Sequence, residues 1–198
     1  MKTLVLASSN RGKLAEMQPL LTDAGFTLIT QGELGVADAI EDGRSFIENA
    51  LIKARHAAAI TGLPAIADDS GLIVDALDGA PGLISAHYAG VHGDAAGNIG
   101  KLLGELAGVP EPKRTARFYS LIVLLRHAHD PQPLIAEGVW EGRILESARG
   151  EHGFGYDPIF FDPLLGASAA ELSPDLKNRV SHRGKALAKL REQLSSTL

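Results

Sequence analysis

The sequence predicts an α/β protein with a mixed α+β sheet, on three observations. Short apolar runs alternate with amphipathic helical stretches through the first third of the chain. Two longer apolar runs, Arg117 to Leu125 and Leu134 to Trp140, are placed to pair with each other across Asp130-Pro131-Gln132-Pro133. A chain of 198 residues that is 45% hydrophobic and 22% charged can bury one core, or one core split into two lobes.

The elements follow in order. Thr3 to Ala7 is an apolar strand running into the polar loop Ser8 to Gly12. Leu14, Met17, Leu20 and Leu21 recur at helical spacing, so a helix runs to about Ala24, where Gly25 stops it. Phe26 to Ile29 is the second strand. Ser45 and Glu48 form a capping box for a helix whose apolar stripe is Ile47, Ala50, Leu51 and Ala54, with Gly62 and Pro64 beyond its end. Pro64 to Ala67 reads as a short buried strand ending in Asp68-Asp69-Ser70-Gly71, with a new apolar run from Leu72 to Leu77. Gly79-Ala80-Pro81-Gly82 is a loop by composition, and Asp94 caps a helix carrying Ile99, Leu102, Leu103 and Leu106. A glycine-rich loop spans Gly150 to Tyr156, and a last helix from about Arg183 carries Leu187, Leu190 and Leu194.

Composition removes several classes of function. The absence of cysteine excludes disulfide frameworks, thiolate zinc sites and cysteine nucleophiles, and suits a reducing compartment. The N-terminal apolar run is too short for a signal peptide and no run is long enough to span a bilayer, so a cytoplasmic protein without a membrane partner is expected. A net charge of −5 and a pI near 5.8 argue against a dedicated duplex-binding protein, so no nucleic acid partner is expected, although a local basic cleft stays open.

Four segments carry chemistry. Ser8, Ser9, Asn10, Arg11, Gly12 and Lys13 form a strand-to-helix loop whose hydroxyls, amide and helix-start N–H groups make an anion nest, with Lys13 a mobile positive charge. A plain helix cap with surface basic residues explains the same pattern. Asp68-Asp69 at a strand end offers hard oxygens suited to magnesium, or simply an acidic turn. Phe154, set between Gly153 and Gly155, is free to stack on a flat base. Ser181-His182-Arg183 places donors at a helix start, with Lys177 four residues earlier. Asn49, Lys53 and His56 share one helix face, whose default reading is a solvated surface. A phosphate nest, a hard-metal carboxylate, a stacking ring and basic donors together describe a nucleoside triphosphate site.

Five ordered motifs, Ser8-x-Asn10-x-x-Lys13, Phe46-x-Glu48-Asn49-Ala50-x-x-Lys53-Ala54, Ala67-Asp68-Asp69-Ser70-Gly71, Gly153-Phe154-Gly155-Tyr156-Asp157-Pro158 and Ser181-His182-Arg183-Gly184, resemble the inosine/xanthosine triphosphate pyrophosphatase family over essentially the whole chain. The resemblance implies a single pyrophosphatase domain over 1–198, with an elongated mixed central sheet flanked by helices, two lobes around a substrate cleft, and a homodimer. It implies hydrolysis of non-standard purine nucleoside triphosphates (ITP, dITP, XTP) to the monophosphate and pyrophosphate, which clears deaminated purines from the nucleotide pool. By motif, Ser8, Asn10, Lys13 and Lys53 would hold phosphates, with Ser9, Arg11 and Gly12 in the same loop. Asp69 would be the general base and a magnesium ligand beside Ser70, with Glu41 a second ligand carried over from a poorly registered acidic loop. Phe154 would stack on the base, Gly155, Tyr156 and Asp157 would shape its pocket, and Lys177, His182 and Arg183 would read the purine edge. His87 and His152 depart from the residues usual in relatives. The competing readings are a septum-inhibitor-type nucleotide pyrophosphatase and a non-catalytic nucleotide- or RNA-binding module. The first is expected to carry Ser and Arg in place of Asn10 and Lys13, and the second has no need of Asp69.

Overall fold

The computed structural model describes residues 2–197. Its strands are β1 (Lys2–Leu6), β2 (Phe26–Thr30), β3 (Ala65–Val74), β4 (Thr115–Leu125), β5 (Leu134–Ile144), β6 (Phe160–Asp162) and β7 (Ala167–Ser168). Its helices are α1 (Arg11–Asp23), α2 (Phe46–Thr61), α3 (Ala95–Glu105), α4 (Pro174–Val180) and α5 (His182–Thr197). Hydrogen bonding orders the strands β2-β1-β3-β4-β5-β6-β7. β1 runs parallel to both β2 and β3, which requires crossover connections, and α1 and α2 supply them. β5, β6 and β7 pair antiparallel. Residues 126–133 are too few for a crossover, so β4 and β5 form the expected hairpin. The sheet is mixed, as the sequence predicts, and flanked by helices, as the resemblance implies.

The chain divides into two compact units. The first holds the residues up to Asp69, Ser120–Gly138 and the chain from His182 onward. Its core joins Leu4 and Leu6 of β1, Met17 and Leu21 of α1, Leu28, Ile66, Ile122 and Leu124, closed by Ala186, Leu187 and Leu190 of α5. The second unit comprises Ser70–Tyr119 and Val139–Ser181. It is built on aromatic packing: Phe160 lies 4.5 Å from Phe118 and 5.0 Å from Trp140 between ring centroids. The indole N–H of Trp140 donates to buried Asp162 at 2.8 Å, so the ring is buried without an orphaned donor.

One expectation is corrected. The acidic pair does not end a strand; β3 continues unbroken from Ala65 through Asp68, Asp69 and Gly71 to Val74. Carboxylates disfavour a buried strand only while uncompensated, and here each has cationic partners. Three elements were not expected at all. α4 is only seven residues long, and β6 and β7 are three and two, too short to show periodicity. Among the described residues, no helix is long and apolar enough to cross a membrane.

Candidate active site

The chemistry-bearing residues fall into a cluster in each unit. In the first unit, β1 ends at Leu6 and the chain turns through Ser8 into α1. Asn10 is the N-cap: its side-chain oxygen accepts from the Lys13 N–H at 3.1 Å, and Ser8 Oγ accepts from the Asn10 N–H at 3.1 Å. Arg11 and Gly12 open the helix, where N–H groups have no intrahelical acceptor, so the loop is shaped for an anion. The Ser9 hydroxyl donates to Asp38 at 3.5 Å.

Lys13 is not the mobile charge the sequence suggests. Its ammonium donates to the Asp68 carbonyl at 2.9 Å and pairs with the Asp68 carboxylate at 2.9 Å. Burial pulls its pKa down, against the opposing pull of Asp68.

Successive residues on β3 face opposite sides, so Asp68 and Asp69 serve different partners. Asp68 is 0% exposed. It accepts from Arg183 Nη2 at 2.9 Å and Nε at 3.2 Å, and from the Ser120 hydroxyl, besides holding Lys13. Burial alone would push its carboxyl up, but Arg183 and then Lys13 and Ser120 hold it well below the usual range. Arg183 is only 2% exposed, and its third nitrogen, Nη1, is paired with Glu16 of α1. Expected at a purine edge, Arg183 has its guanidinium donors turned onto two carboxylates within the first unit. His182, which opens α5, is also buried.

Asp69 meets the other lysine. Lys53 Nζ lies 2.6 Å from Asp69 Oδ1, 3.0 Å from Glu41 Oε2 and 3.2 Å from the Asp68 carbonyl. Burial would lower the Lys53 pKa, but Asp69 and then Glu41 raise it. Burial pushes the Asp69 carboxyl up, against the pull of Lys53. Two carboxylates on different segments thus meet on one cation, the Lys53 ammonium. Magnesium takes one or two protein carboxylates and fills its remaining positions with water and phosphate oxygens, so this donor pair fits it. Among the described residues, no group of three or more His, Asp or Glu side chains gathers as a metal cage.

The second unit holds the aromatic cluster. The Phe154 N–H donates to Asp157 Oδ2 at 2.8 Å, and Lys177 Nζ on α4 donates to the same oxygen at 2.6 Å. Lys177 also stands 4.8 Å from the Phe154 ring centroid, a cation–π contact. Phe154 stays 39% exposed on this buried support. Gly153 has φ +78°, and a Cβ there would overlap the Asp157 carboxylate. Only glycine allows that clasp. The Tyr156 hydroxyl donates to the Ser85 carbonyl at 2.8 Å and is buried, so it braces the turn from beneath. Gly155 also has positive φ, and Ser70 is half-buried on β3.

Glu16, Ser120, Gln31 and Asp38 of these networks were not singled out from sequence. Glu16 lies three residues after Lys13, a helical-face spacing that marked it. Ser120 is the hydroxyl in an otherwise apolar stretch of β4. Gln31, which donates to Asp38, carried no signal.

The chain is similar to curated relatives throughout. A "dITP/XTP pyrophosphatase" of Xanthomonas oryzae pv. oryzae is 61% identical over 194 residues, covering 98% of each chain. One of Vibrio parahaemolyticus is 57% identical over 196 residues, covering 99% of this chain and 98% of its own. Among solved structures, a HAM1 protein from Coxiella burnetii superposes with a TM-score of 0.91 at 51% identity, covering 99% of this chain and 100% of its own. The Staphylococcus aureus Ham1 protein gives a TM-score of 0.87 at 37% identity, covering all of both chains. The Ham1 family model matches residues 4–193. With sequence, fold and motifs in agreement along its length, the chain belongs to the Ham1 family.

Proposed function

We propose that this protein hydrolyses the non-standard purine triphosphates ITP, dITP and XTP to the monophosphate and pyrophosphate. The observation that carries the reading is the convergence of Asp69 and Glu41 on the Lys53 ammonium, with Lys13 held on the neighbouring Asp68. The near-full-length similarity to relatives named dITP/XTP pyrophosphatase supports the substrate.

The reaction adds water to the α-phosphorus and breaks the bond to the bridging oxygen, which leaves with pyrophosphate. Asn10, the amides of the Ser8 to Gly12 loop, Lys13 and Lys53 hold phosphate oxygens and offset their charge. Asp69 and Glu41 would hold magnesium. When bound, magnesium screens phosphate charge and lowers the pKa of coordinated water. The Asp69 carboxylate accepts a hydrogen bond from the attacking water and orients it towards phosphorus. Phe154 stacks on the base, and the clasp of Asp157 by Lys177 fixes the ring's support. Lys177 and His182 remain the candidates for reading the purine edge, where an O6 acceptor distinguishes hypoxanthine and xanthine from adenine.

The test is pyrophosphate release from ITP, dITP, XTP, GTP and ATP with magnesium. We expect kcat/KM for the first three to exceed ATP by more than about tenfold, since a mismatched buried donor costs at least ~1.4 kcal/mol. A smaller spread rejects base selectivity, and no release at all rejects the enzyme. The reading also carries a homodimer in the cytoplasm. Ile84 and Val91, exposed apolar residues of the second unit, are compatible with self-association. Light scattering giving a mass near 20.8 kDa at micromolar concentration would remove the dimer.

A further inference from the structure

Asn49, Lys53 and His56 lie four and three residues apart on α2 and therefore share one face. The structure sets an irregular loop against that face, while Lys53 also reaches Asp69 of β3. Residues 36–43 form no regular element, and α2 takes hold of them at three points. Asn49 Oδ1 accepts from the Gly43 N–H at 2.9 Å. Lys53 meets Glu41 at 3.0 Å. His56 Nε2 lies 2.9 Å from the Ala37 carbonyl. A carbonyl can only accept, so His56 carries its proton on Nε2. The fit at Gly43 is tight: a Cβ there would stand 2.6 Å from Asn49 Oδ1 and 2.7 Å from Glu48 Cβ, closer than real side chains approach. On its other side the loop is held through Asp38, which accepts from Gln31 and Ser9.

We infer that Asn49 and His56 are positioning residues that hold the loop of residues 37–43 on α2, so that Glu41 reaches the cation position it shares with Asp69. Lys53 cannot do this alone. When a metal takes up the carboxylates, the Lys53–Glu41 ion pair competes with it, whereas the bonds of Asn49 and His56 go to backbone atoms and persist. Glu41 sits between the two fixed points, at residues 37 and 43, so its reach is set by backbone and not by its own flexible side chain. Without them the loop must be ordered at the moment of metal binding, and that entropy appears as weaker metal affinity.

The inference rests on the proposed function for Glu41 as a metal ligand and for its kinetic readout, while loop exchange tests the grip of α2 independently. The experiment compares wild type, Asn49→Ala, His56→Ala, His56→Gln and the control Arg55→Ala, whose side chain is exposed on another face of α2. Amide hydrogen exchange over residues 37–43 in metal-free protein reads the loop directly. It should rise about fivefold in Asn49→Ala and His56→Ala, the loss of one hydrogen bond, and stay at the wild-type rate in Arg55→Ala. In pyrophosphate release from ITP, the magnesium concentration for half-maximal rate should rise about fivefold in both alanine variants, with kcat at saturating magnesium within about twofold of wild type. His56→Gln, whose amide can donate to the same carbonyl, should restore both. Unchanged exchange, or a lowered kcat at an unchanged magnesium requirement, overturns the inference. Asn49 is buried, so if Asn49→Ala fails to fold the His56 pair decides alone. A wild-type protein that releases no pyrophosphate overturns the activity, and exchange then decides whether α2 holds the loop.

Discussion

Asp68→Asn removes one charge and almost no volume from a side chain that is 0% exposed. Four donor groups lose a carboxylate: Arg183 Nε and Nη2, Lys13 Nζ and the Ser120 hydroxyl. Arg183 keeps Glu16, and Lys13 keeps only the backbone carbonyl of residue 68. Removing one partner of a buried ion pair costs about 3–5 kcal/mol, and since the amide still offers one acceptor we expect about 3 kcal/mol of unfolding free energy to be lost. Urea denaturation at pH 7 measures it. The pH dependence supplies a second arm. The Asp68 pKa is depressed in the folded protein, so its contribution is fully present above the unfolded value, about 3.8, and is lost as pH falls through the folded value below that. Wild type should therefore lose this increment only below about pH 4, and Asp68→Asn should lack that part of the acid limb. A destabilisation under about 1 kcal/mol, or an acid limb identical in both proteins, would refute the reasoning that these charges depend on one carboxylate.

Asp69→Asn should lower kcat by about 10²-fold or more while circular dichroism and nucleotide binding persist, because the amide cannot orient and accept from water as the carboxylate does. Near-wild-type turnover in saturating magnesium would count against its role. Gly153→Ala should cost about 1–3 kcal/mol and raise KM, because the new methyl meets the Asp157 carboxylate at φ +78°. Gly155→Ala, with φ +61° but open space around its Cβ, should cost only about 1 kcal/mol by the same denaturation assay; equal losses would contradict the clash. Lys177→Met leaves Asp157 buried with the Phe154 N–H and without its ammonium, so the ITP-to-ATP ratio of kcat/KM should fall about tenfold. An unchanged ratio would confine Lys177 to a structural role.

Local signals made much of this molecule readable. Asn10 and Ser45 cap where their side chains require, and Gly62 ends α2 in the left-handed conformation, because caps are decided by neighbours in sequence. The acidic pair looks like a strand end in sequence because its stability is decided elsewhere. Asp68 tolerates a strand interior through Ser120 and Arg183, which are 52 and 115 residues away. The same distance effect hid the fate of Arg183: a helix-start arginine looks like an anion donor until Asp68 and Glu16 are seen against it. The helical spacing of Asn49, Lys53 and His56 was plain, but an irregular loop as the occupant of that face has no periodicity to announce it.

The bond between Asp68 and Arg183 also orders events in time. During synthesis β1, α1, β3 and β4 emerge well before residue 183, so Asp68 and Lys13 exist for an interval with no guanidinium to complete their surroundings. Contacts so far apart in sequence form late, after most loop-closure entropy has been lost. A nascent chain lacking α5 can therefore already pair Lys13 with Asp68, but the core face of Leu4, Met17 and Ile66 that Ala186, Leu187 and Leu190 close stays open to water. The first unit is complete only when the last helix docks.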